Sequence, residues 1–422
     1  MHITLITYGT RGDVQPFVAL GVGLTAAGHS VRLAAPEAYA SFAAQHELDF
    51  VPLPGDPAHL SQQLVETGGR NPIHQWRAMM EFALPLGANV LRSARAASRD
   101  ADLVLHSFLL CVGGHTIARE LGVPDIYAEF FPVFTATAAF PSLLFPDLGS
   151  LGAYNRLTHA LFNYIFWSTN RIGYGIVQKQ FSDLPVRVYH PFVNRRNPTP
   201  ILNAFSPLVV PPAPDWGAHV YTTGYWFLDT AHNWQPPDAL VRFLESGPPP
   251  VCIGFGSMIA KEAKIMNRIV LDALAQSEQR GVLLGGWGKF SDLSTGSGQA
   301  LPESVFVIDS APHDWLFPRM AAVVHHGGAG TTAAGLRAGV PSIITPFTAD
   351  QPFWGRRAAE LGVGPTPIHR RRLTARNLAG AITRAVNDPE MRARVAVLGK
   401  KLRAENGVTH AVNVIEQHLH SH

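Results

Sequence analysis

A ten-residue segment in the second half of the chain, VVHHGGAGTT at 323–332, combines the groups that proteins use to bind phosphate. A β-branched run leads through small residues into two threonines at a predicted helix start. Backbone amides at such a helix start attract anions, the glycines let the backbone approach a ligand, and a histidine can donate to a phosphate oxygen. A tight strand-to-helix turn without a ligand is the alternative. The residues expected to bind a diphosphate are His326, Gly328, Gly330, Thr331 and Thr332.

Two further loops of the same half offer polar groups after predicted strands. Ser257 follows the glycine turn that begins at Gly254, and it is suited either to bind a phosphate or sugar oxygen or to cap the next helix. Asp350 and Gln351 follow the strand predicted at 342–345. A carboxylate beside an amide can hold adjacent sugar hydroxyls, whereas an N-cap for the next helix is the structural interpretation.

The first half of the chain offers a candidate general base. Asp13 lies in the turn GTRGD between a predicted strand and a predicted helix. This turn is at the carboxyl end of the strand, which is the edge of the sheet where such folds bind ligands. Transfer to an alcohol needs a base for the hydroxyl proton, although an aspartate that caps the helix is the alternative. His106 ends another predicted strand. It is interpreted as a residue that contacts the alcohol acceptor or as a partner of Asp13, and a histidine buried in the core is the alternative. Asp100 and Asp102 precede a strand and are expected to cap and turn the chain rather than bind metal.

Apolar side chains of the first half are candidates for binding an apolar acceptor. Core packing is the alternative for each of them. The candidates are Trp76, Met80, Phe130 and Phe131.

The elements that must position these residues alternate between short β-branched runs and longer helical patterns, which indicates βαβ units and parallel sheets. Two domains are expected from the 422 residues. A proline-dense stretch at 206–216 suggests the boundary, giving domains at 1–210 and 217–387, followed by helices over 388–422 that pack back toward the first domain.

Composition excludes several classes of protein. The formal charge of +3 with scattered basic residues gives no footprint for nucleic acid. Two cysteines in apolar stretches favour a reducing compartment, and the first residues read as a strand without a secretory signal, so we expect a cytoplasmic protein. Apolar stretches are interrupted before they reach the length of a membrane span. The sequence leaves a peripheral membrane contact and the oligomeric state open.

These motifs together resemble the GT-B glycosyltransferases that include sterol glucosyltransferases and the glycosyltransferases of antibiotic biosynthesis. The resemblance covers nearly the whole chain. Its segments are GTRGDVQPFVALG, DWGAHVYTTGYWFLD, GFGS, PHDWLF, HHGGAGTTAAGLRAG and TPFTADQPFWG, in the family's order.

This resemblance implies two Rossmann-like, doubly wound α/β domains that face each other across a cleft, with the acceptor bound by the first domain and a nucleotide sugar by the second. It implies inverting, metal-independent transfer of glucose from UDP-glucose to a hydroxyl of an apolar small molecule such as a sterol, triterpenoid, polyketide or flavonoid. A TDP-deoxysugar donor, a sugar-nucleotide epimerase and a silent binding module are the alternatives. No cofactor is expected, because the UDP-sugar is a co-substrate.

The resemblance also assigns individual residues. Asp13 matches the family's base, and Thr10 lies beside the donor phosphates. Ser310 replaces a tryptophan that stacks on uracil in the plant secondary-metabolite branch, which leaves base recognition to the segment ending at His313 or to Trp287.

Overall fold

The computed structural model describes residues 1–57, 86–149, 151–180, 187–192, 198–230, 234–256, 263–285 and 301–420. These residues divide into two compact units. The first comprises Met1–Leu228 with Asn406–His422, and the second comprises Asp229–Glu405. Each unit contains a parallel sheet with helices, so the predicted α/β fold class is confirmed.

The sheet of the first unit has seven parallel strands in the order β3-β2-β1-β4-β5-β6-β7. Its strands are β1 His2–Ile6, β2 Ser30–Pro36, β3 Asp49–Leu53, β4 Leu103–His106, β5 Asp125–Glu129, β6 Ile201–Asn203 and β7 Val220–Thr222. Its helices are α1 Arg11–Ala26, α2 Ala40–Ala44, α3 Cys111–Leu121, α4 Gly152–Gln180 and α12 Gly407–His420, with a further helical segment over 86–97.

The sheet of the second unit has five parallel strands in the order β10-β9-β8-β11-β12. Its strands are β8 Val251–Gly254, β9 Gly281–Leu284, β10 Val305–Ile308, β11 Ala322–His325 and β12 Ser342–Ile344. Its helices are α5 Asp238–Glu245, α6 Ala263–Gln276, α7 His313–Leu316, α8 Ala329–Ala338, α9 Gln351–Glu360, α10 Ala375–Asn387 and α11 Pro389–Ala404.

Both sheets contain a point where the strand order reverses. It lies between β1 and β4 in the first sheet and between β8 and β11 in the second. Connections leave such a point toward opposite sides and open a crevice at the carboxyl ends of the strands, which is where doubly wound folds bind ligands. The loops that follow β1, β8 and β11 are the glycine-rich segments selected from the sequence.

The division into units differs from the boundary expected at 206–216. Strand β7 pairs with β6 and extends the first sheet, so the chain stays in the first unit beyond the proline-dense stretch. The C-terminal helices also divide: α11 packs against α8 in the second unit, whereas α12 packs along α1 in the first. Among the described residues, no helix combines the length and apolarity needed to cross a membrane.

Candidate functional site

The loop between β11 and α8 depends on two glycines for its shape. Gly327 has a φ of +95°, and a Cβ there would lie 2.6 Å from Ile344 Cγ2. Gly328 caps α8, and a Cβ there would lie 2.6 Å from the Nε2 atom of His326. Side chains are therefore excluded from both positions, and the imidazole of His326 packs directly over the backbone that begins the helix.

The first turn of α8 supplies hydrogen-bond donors. The first backbone bond of the helix runs from the Thr332 amide to the Gly328 carbonyl, so the amides of Ala329, Gly330 and Thr331 have no acceptor within the helix. They carry the positive end of the helix dipole. Thr331 is half-buried, and its hydroxyl bonds to none of the described residues. Thr332 differs from the expectation, because its hydroxyl donates to the Gly328 carbonyl at 2.9 Å and its side chain is buried. The groups of this turn that are left to donate hydrogen bonds are thus the three amides and the Thr331 hydroxyl.

His326 is held as a neutral imidazole beside a second loop. Burial lowers its pKa to about 4, and its Nδ1 atom is buried without a hydrogen-bond partner among the described residues. The parallel pairing of β8 with β11 places Gly254 beside His325, so the residues that follow each strand also lie side by side. A Cβ on Gly256 would lie 3.6 Å from the His326 ring. An unpartnered buried nitrogen at the carboxyl edge of the sheet is suited to a ligand oxygen.

The neighbouring histidines support this loop. His325 is buried, and its Nδ1 atom accepts the Gly327 amide at 3.0 Å. Burial lowers the pKa of His325 well below its ordinary value, with further lowering by His326 and His313. The ring of His313 stacks on Phe317 at 4.3 Å. His313, which ends the segment expected to recognise the base, therefore lies electrostatically close to His325.

Asp350 and Gln351 shape a turn that ends after β12. The Gln351 side-chain oxygen accepts the amides of Phe347 at 2.7 Å and Thr348 at 3.1 Å, and an Asp350 oxygen accepts the Trp354 indole N–H at 2.9 Å. These bonds engage part of each side chain in the turn, and the Gln351 amide nitrogen is left to donate. Ala349 has a φ of +55°, a strained conformation for a residue with a side chain. The residue type at position 349 does not indicate that strain.

Four predicted contacts lie outside the described residues. They are Trp76, Met80, Ser257 and Trp287.

In the first unit, Asp13 belongs to the first turn of α1 and is half-buried. One of its oxygens, Oδ2, accepts the Thr10 amide at 2.8 Å and the Thr10 hydroxyl at 3.2 Å, which completes a capping box. Its Oδ1 atom accepts no hydrogen bond from any other described residue. Burial raises the pKa of Asp13 to about 6, although the bonds from Thr10 oppose that rise. The carboxylate thus has one anchored oxygen, one available oxygen and a pKa suited to a general base.

The same contacts explain two neighbours of Asp13. A Cβ on Gly9 would collide with the Asp13 carboxylate, and Gly9 has a φ of +149°. The side chain of Thr10 bonds to Asp13, so in this structure it supports the candidate base, whereas the resemblance assigned it to the donor phosphates.

His106 is not an exposed acceptor contact. It is fully buried, and its Nε2 atom lies 2.8 Å from Asp125 Oδ2, which also lies 2.8 Å from His115 Nδ1. Burial acts to raise the pKa of Asp125, but the bonds from the two histidines lower it to about 2. The sequence could not reveal this because the partners come from the neighbouring strand β5 and from α3. The core-histidine alternative is the one that the structure supports.

The aspartates before β4 also have structural partners. Asp100 bonds to the guanidinium of Arg32 at 2.5 Å, and Asp102 accepts the amide of His2 at 2.8 Å. Both bonds join segments that are distant in sequence, so the expected role of these aspartates in capping and turning the chain stays a prediction.

The two phenylalanines proposed as acceptor contacts lie in different environments. Phe130 is buried against Phe17 and Trp226, with ring centroids 5.9 and 6.3 Å away, so it belongs to the core. Phe131 is partly buried against Phe108 at 5.8 Å. The first unit also contains a small cavity that the sequence analysis does not predict. Its only signal in the sequence is the group of aromatic residues at 162–167 and 190–192. It is lined by Val112, Phe134, Asn163, Phe166, Trp167, His190, Pro191 and Phe192.

Comparison with solved structures defines the class. The glycotransferase of kitacinnamycin superposes with a TM-score of 0.73 at 22% identity and covers 99% of both chains. The glycosyltransferase VinC, solved with dTDP, gives a TM-score of 0.67 at 20% identity over 100% of both chains. These similarities, together with the two parallel-sheet units, show a GT-B glycosyltransferase fold.

Sequence comparison defines the family. The N-terminal domain of glycosyltransferase family 28 matches residues 3–140, and the C-terminal domain of erythromycin biosynthesis protein CIII-like proteins matches residues 289–417. A sterol 3-beta-glucosyltransferase of Arabidopsis thaliana is 37% identical over 99% of this chain and 68% of its own length. This chain belongs to the glycosyltransferase family that contains the sterol 3-beta-glucosyltransferases.

The fungal relatives are much longer. A sterol 3-beta-glucosyltransferase of Cryptococcus neoformans is 36% identical over 99% of this chain, which spans 27% of that protein. One of Emericella nidulans is 37% identical, with 30% of its length spanned.

Proposed function

We propose that this chain transfers glucose from UDP-glucose to a hydroxyl of an apolar acceptor, with a sterol as the first candidate. The observation that carries the proposal is the Asp13 carboxylate, which has one oxygen anchored by Thr10, one oxygen available and a pKa of about 6. The identity of 37% with the Arabidopsis sterol 3-beta-glucosyltransferase supports the choice of a sterol acceptor and of glucose as the transferred sugar.

The proposed reaction is a direct displacement. Asp13 accepts the proton of the acceptor hydroxyl, and the oxygen forms a bond to the anomeric carbon of glucose. The bond from that carbon to the diphosphate breaks, and its electron pair leaves with UDP. Attack from the side opposite the leaving group inverts the configuration of the anomeric carbon.

The second unit would stabilise the leaving group. Neutral His326 can donate one hydrogen bond to a phosphate oxygen, and the amides of the first α8 turn can donate others together with Thr331. Gln351 offers its amide nitrogen to a sugar hydroxyl. These groups are fixed before the reaction, so charge that develops on the diphosphate meets donors that need no reorganisation.

The test is to incubate the purified chain with UDP-glucose, with and without hydroxylated sterols, polyketides and flavonoids. Glucoside and UDP are followed by mass spectrometry, with EDTA or added Mg²⁺ as a check on metal dependence. A glucoside that forms only with an acceptor supports the proposal. Donor conversion without an acceptor would indicate an epimerase, and UDP binding without turnover of any sugar nucleotide would indicate a silent binding module.

A further inference from the structure

A carboxylate at the carboxyl edge of the second sheet has no partner in the described part of the chain. Asp309 follows β10 directly, and it is exposed. Its side chain forms no hydrogen bond or ion pair with a described residue, and the proposed displacement does not use it. Ligands of doubly wound sheets bind outside the carboxyl ends of the strands, so Asp309 lies at the edge where a nucleotide is expected.

The Asp309 side chain lies over a glycine that follows the neighbouring strand. Strands β9 and β10 pair in parallel and end together, with Leu284 beside Ile308. The next amide, that of Gly285, donates to the Ile308 carbonyl at 2.7 Å. A Cβ on Gly285 would lie 3.1 Å from the Asp309 Oδ1 atom. The carboxylate therefore lies against the backbone at the end of β9, one strand inward from its own.

The segment after Asp309 runs along this edge toward the loop between β11 and α8. It leads to His313, which begins α7, and α7 packs against α8. After burial and His326, His313 is the third cause that lowers the pKa of His325, the last residue of β11, so these groups lie close together. Residues 309–313 thus cross the carboxyl ends of the strands from β10 to β11.

The strand spacing places Asp309 where the nucleoside of a bound donor would lie. Strand β8 alone separates β9 from β11. Neighbouring strands lie about 4.8 Å apart, so the end of β9 is about 10 Å along the edge from the end of β11. In the proposed donor complex the diphosphate lies on the first turn of α8, and the sugar lies beside Gln351 after β12. The nucleoside then extends in the opposite direction, over β8 and β9, and its ribose reaches the Asp309 carboxylate.

The chemistry of a carboxylate suits a ribose. Its two oxygens accept hydrogen bonds and donate none, and the 2′ and 3′ hydroxyls of a ribose are two adjacent donors. The strand order β10-β9-β8-β11-β12 is also that of a dinucleotide-binding half, in which an acidic side chain hydrogen-bonds to the ribose 2′ hydroxyl. Gly285 leaves room for the ligand at the end of β9, and Asp309 supplies the acidic group from β10.

We infer that Asp309 binds the ribose hydroxyls of the nucleotide donor and makes this chain select ribonucleotides over 2′-deoxyribonucleotides. The inference rests on the proposed function for the position of the diphosphate. It names a residue that separates the UDP-glucose donor from the TDP-deoxysugar alternative, because the sugar of thymidine lacks the 2′ hydroxyl. A site built to hydrogen-bond a hydroxyl rejects the analogue that lacks it, since its own polar group is then left unpaired.

The experiment measures the affinity of the full chain for UDP and for 2′-deoxy-UDP by calorimetric titration. These nucleotides share the base and the diphosphate and differ in one hydroxyl. We expect the wild type to bind UDP about tenfold more tightly, because 2′-deoxy-UDP loses a hydrogen bond to a charged group. The variant Asp309→Ala should bind both nucleotides with nearly equal affinity. Removal of the negative charge acts on both diphosphates alike, so it cancels in the ratio of the two affinities.

Glu303→Ala is the matched control. Glu303 is another exposed carboxylate, and it precedes β10 at the opposite, amino end of the strand. The substitution removes the same charge from the same part of the chain without changing the carboxyl edge. This variant should keep the wild-type ratio of the two affinities.

Three results would overturn the inference. These are equal binding of both nucleotides by the wild type, a ratio that Asp309→Ala leaves unchanged, and a loss of that ratio in Glu303→Ala as well. An unchanged ratio with weaker binding of both nucleotides would place the carboxylate on the N3–H group of the base. Binding requires neither acceptor nor turnover. A chain that binds UDP without discrimination would contradict this inference alone, whereas a chain that binds neither nucleotide would contradict the proposed function as well.

Discussion

The role of Asp13 gives a pH dependence whose size follows from the structure. A general base acts when it is deprotonated, so transfer should decline as pH falls through the Asp13 pKa of about 6. With that pKa, about nine-tenths of the carboxyl is ionised at pH 7 and about one-tenth at pH 5. We expect kcat/KM to fall about tenfold between these values, with a slope that approaches one on the acidic limb. Removal of the base by Asp13→Asn should lower kcat by about 10²–10⁴-fold.

The assay is an initial-rate measurement of UDP release across pH 4.5–8, accompanied by calorimetric titration of UDP at pH 7. The amide of Asp13→Asn retains an oxygen that can accept from Thr10, so the fold and UDP affinity should persist. Asp102→Asn is the matched control, because its carboxylate is exposed at the amino end of β4. A flat profile down to pH 5, or an Asp13→Asn variant with nearly full kcat, would refute the assignment of the base.

Three further predictions concern the supporting residues. Thr10→Val removes a hydroxyl bond that lowers the Asp13 pKa, so the acidic limb should move to higher pH; a limb that stays in place would contradict this. Gly328→Ala would put a Cβ 2.6 Å from the nearby ring nitrogen, and UDP affinity measured by calorimetry should fall about tenfold. Gly380→Ala is the matched control, because its Cβ meets no described atom within 4 Å. This variant should leave the UDP affinity unchanged and add about 0.5–1 kcal/mol to the free energy of unfolding. Equal losses of UDP affinity in the two alanine variants would contradict the steric argument. Asp125→Ala leaves the buried imidazoles of His106 and His115 without their shared acceptor. The free energy of unfolding, measured by urea denaturation, should fall by about 3 kcal/mol. An unchanged midpoint of the urea transition would show that these two hydrogen bonds add no stability.

Much of the fold could be predicted because its central strands are continuous apolar runs. The apolar runs at 103–105 and 322–325 lie in β4 and β11, which are buried throughout. Threonine is a residue type favoured at helix N-caps, and the hydroxyl of Thr374 accepts the Asn377 amide at 3.3 Å at the start of α10. Edge and short strands gave weaker signals: β6 and β7 have three residues each and escaped detection. Their position explains why the proline-dense stretch did not end the first unit.

The glycine and histidine positions in the loop between β11 and α8 were also predictable from the sequence. Glycine at 327 and 328 is required by φ and by close contacts, and such local requirements leave a direct trace in residue type. The partners of polar side chains leave no such trace. Thr332 and Gln351 were selected for their chemistry, yet their oxygen atoms bond to backbone groups of the loops that hold them.

The sequence by itself determined the class of fold, the loops that contain the candidate site residues and the identity of the candidate base. These depend on hydrophobic periodicity and on glycine, histidine and aspartate at fixed spacing, which are local properties of the chain. The tertiary structure decided the electrostatic state of each group, because burial raises the pKa of Asp13 and lowers that of His326. It also decided which apolar residues are exposed: Phe130 packs in the core while Leu157 lies in solvent, although both are apolar residues of the same half. Exposure and desolvation arise from segments distant in sequence, so only the folded chain fixes them.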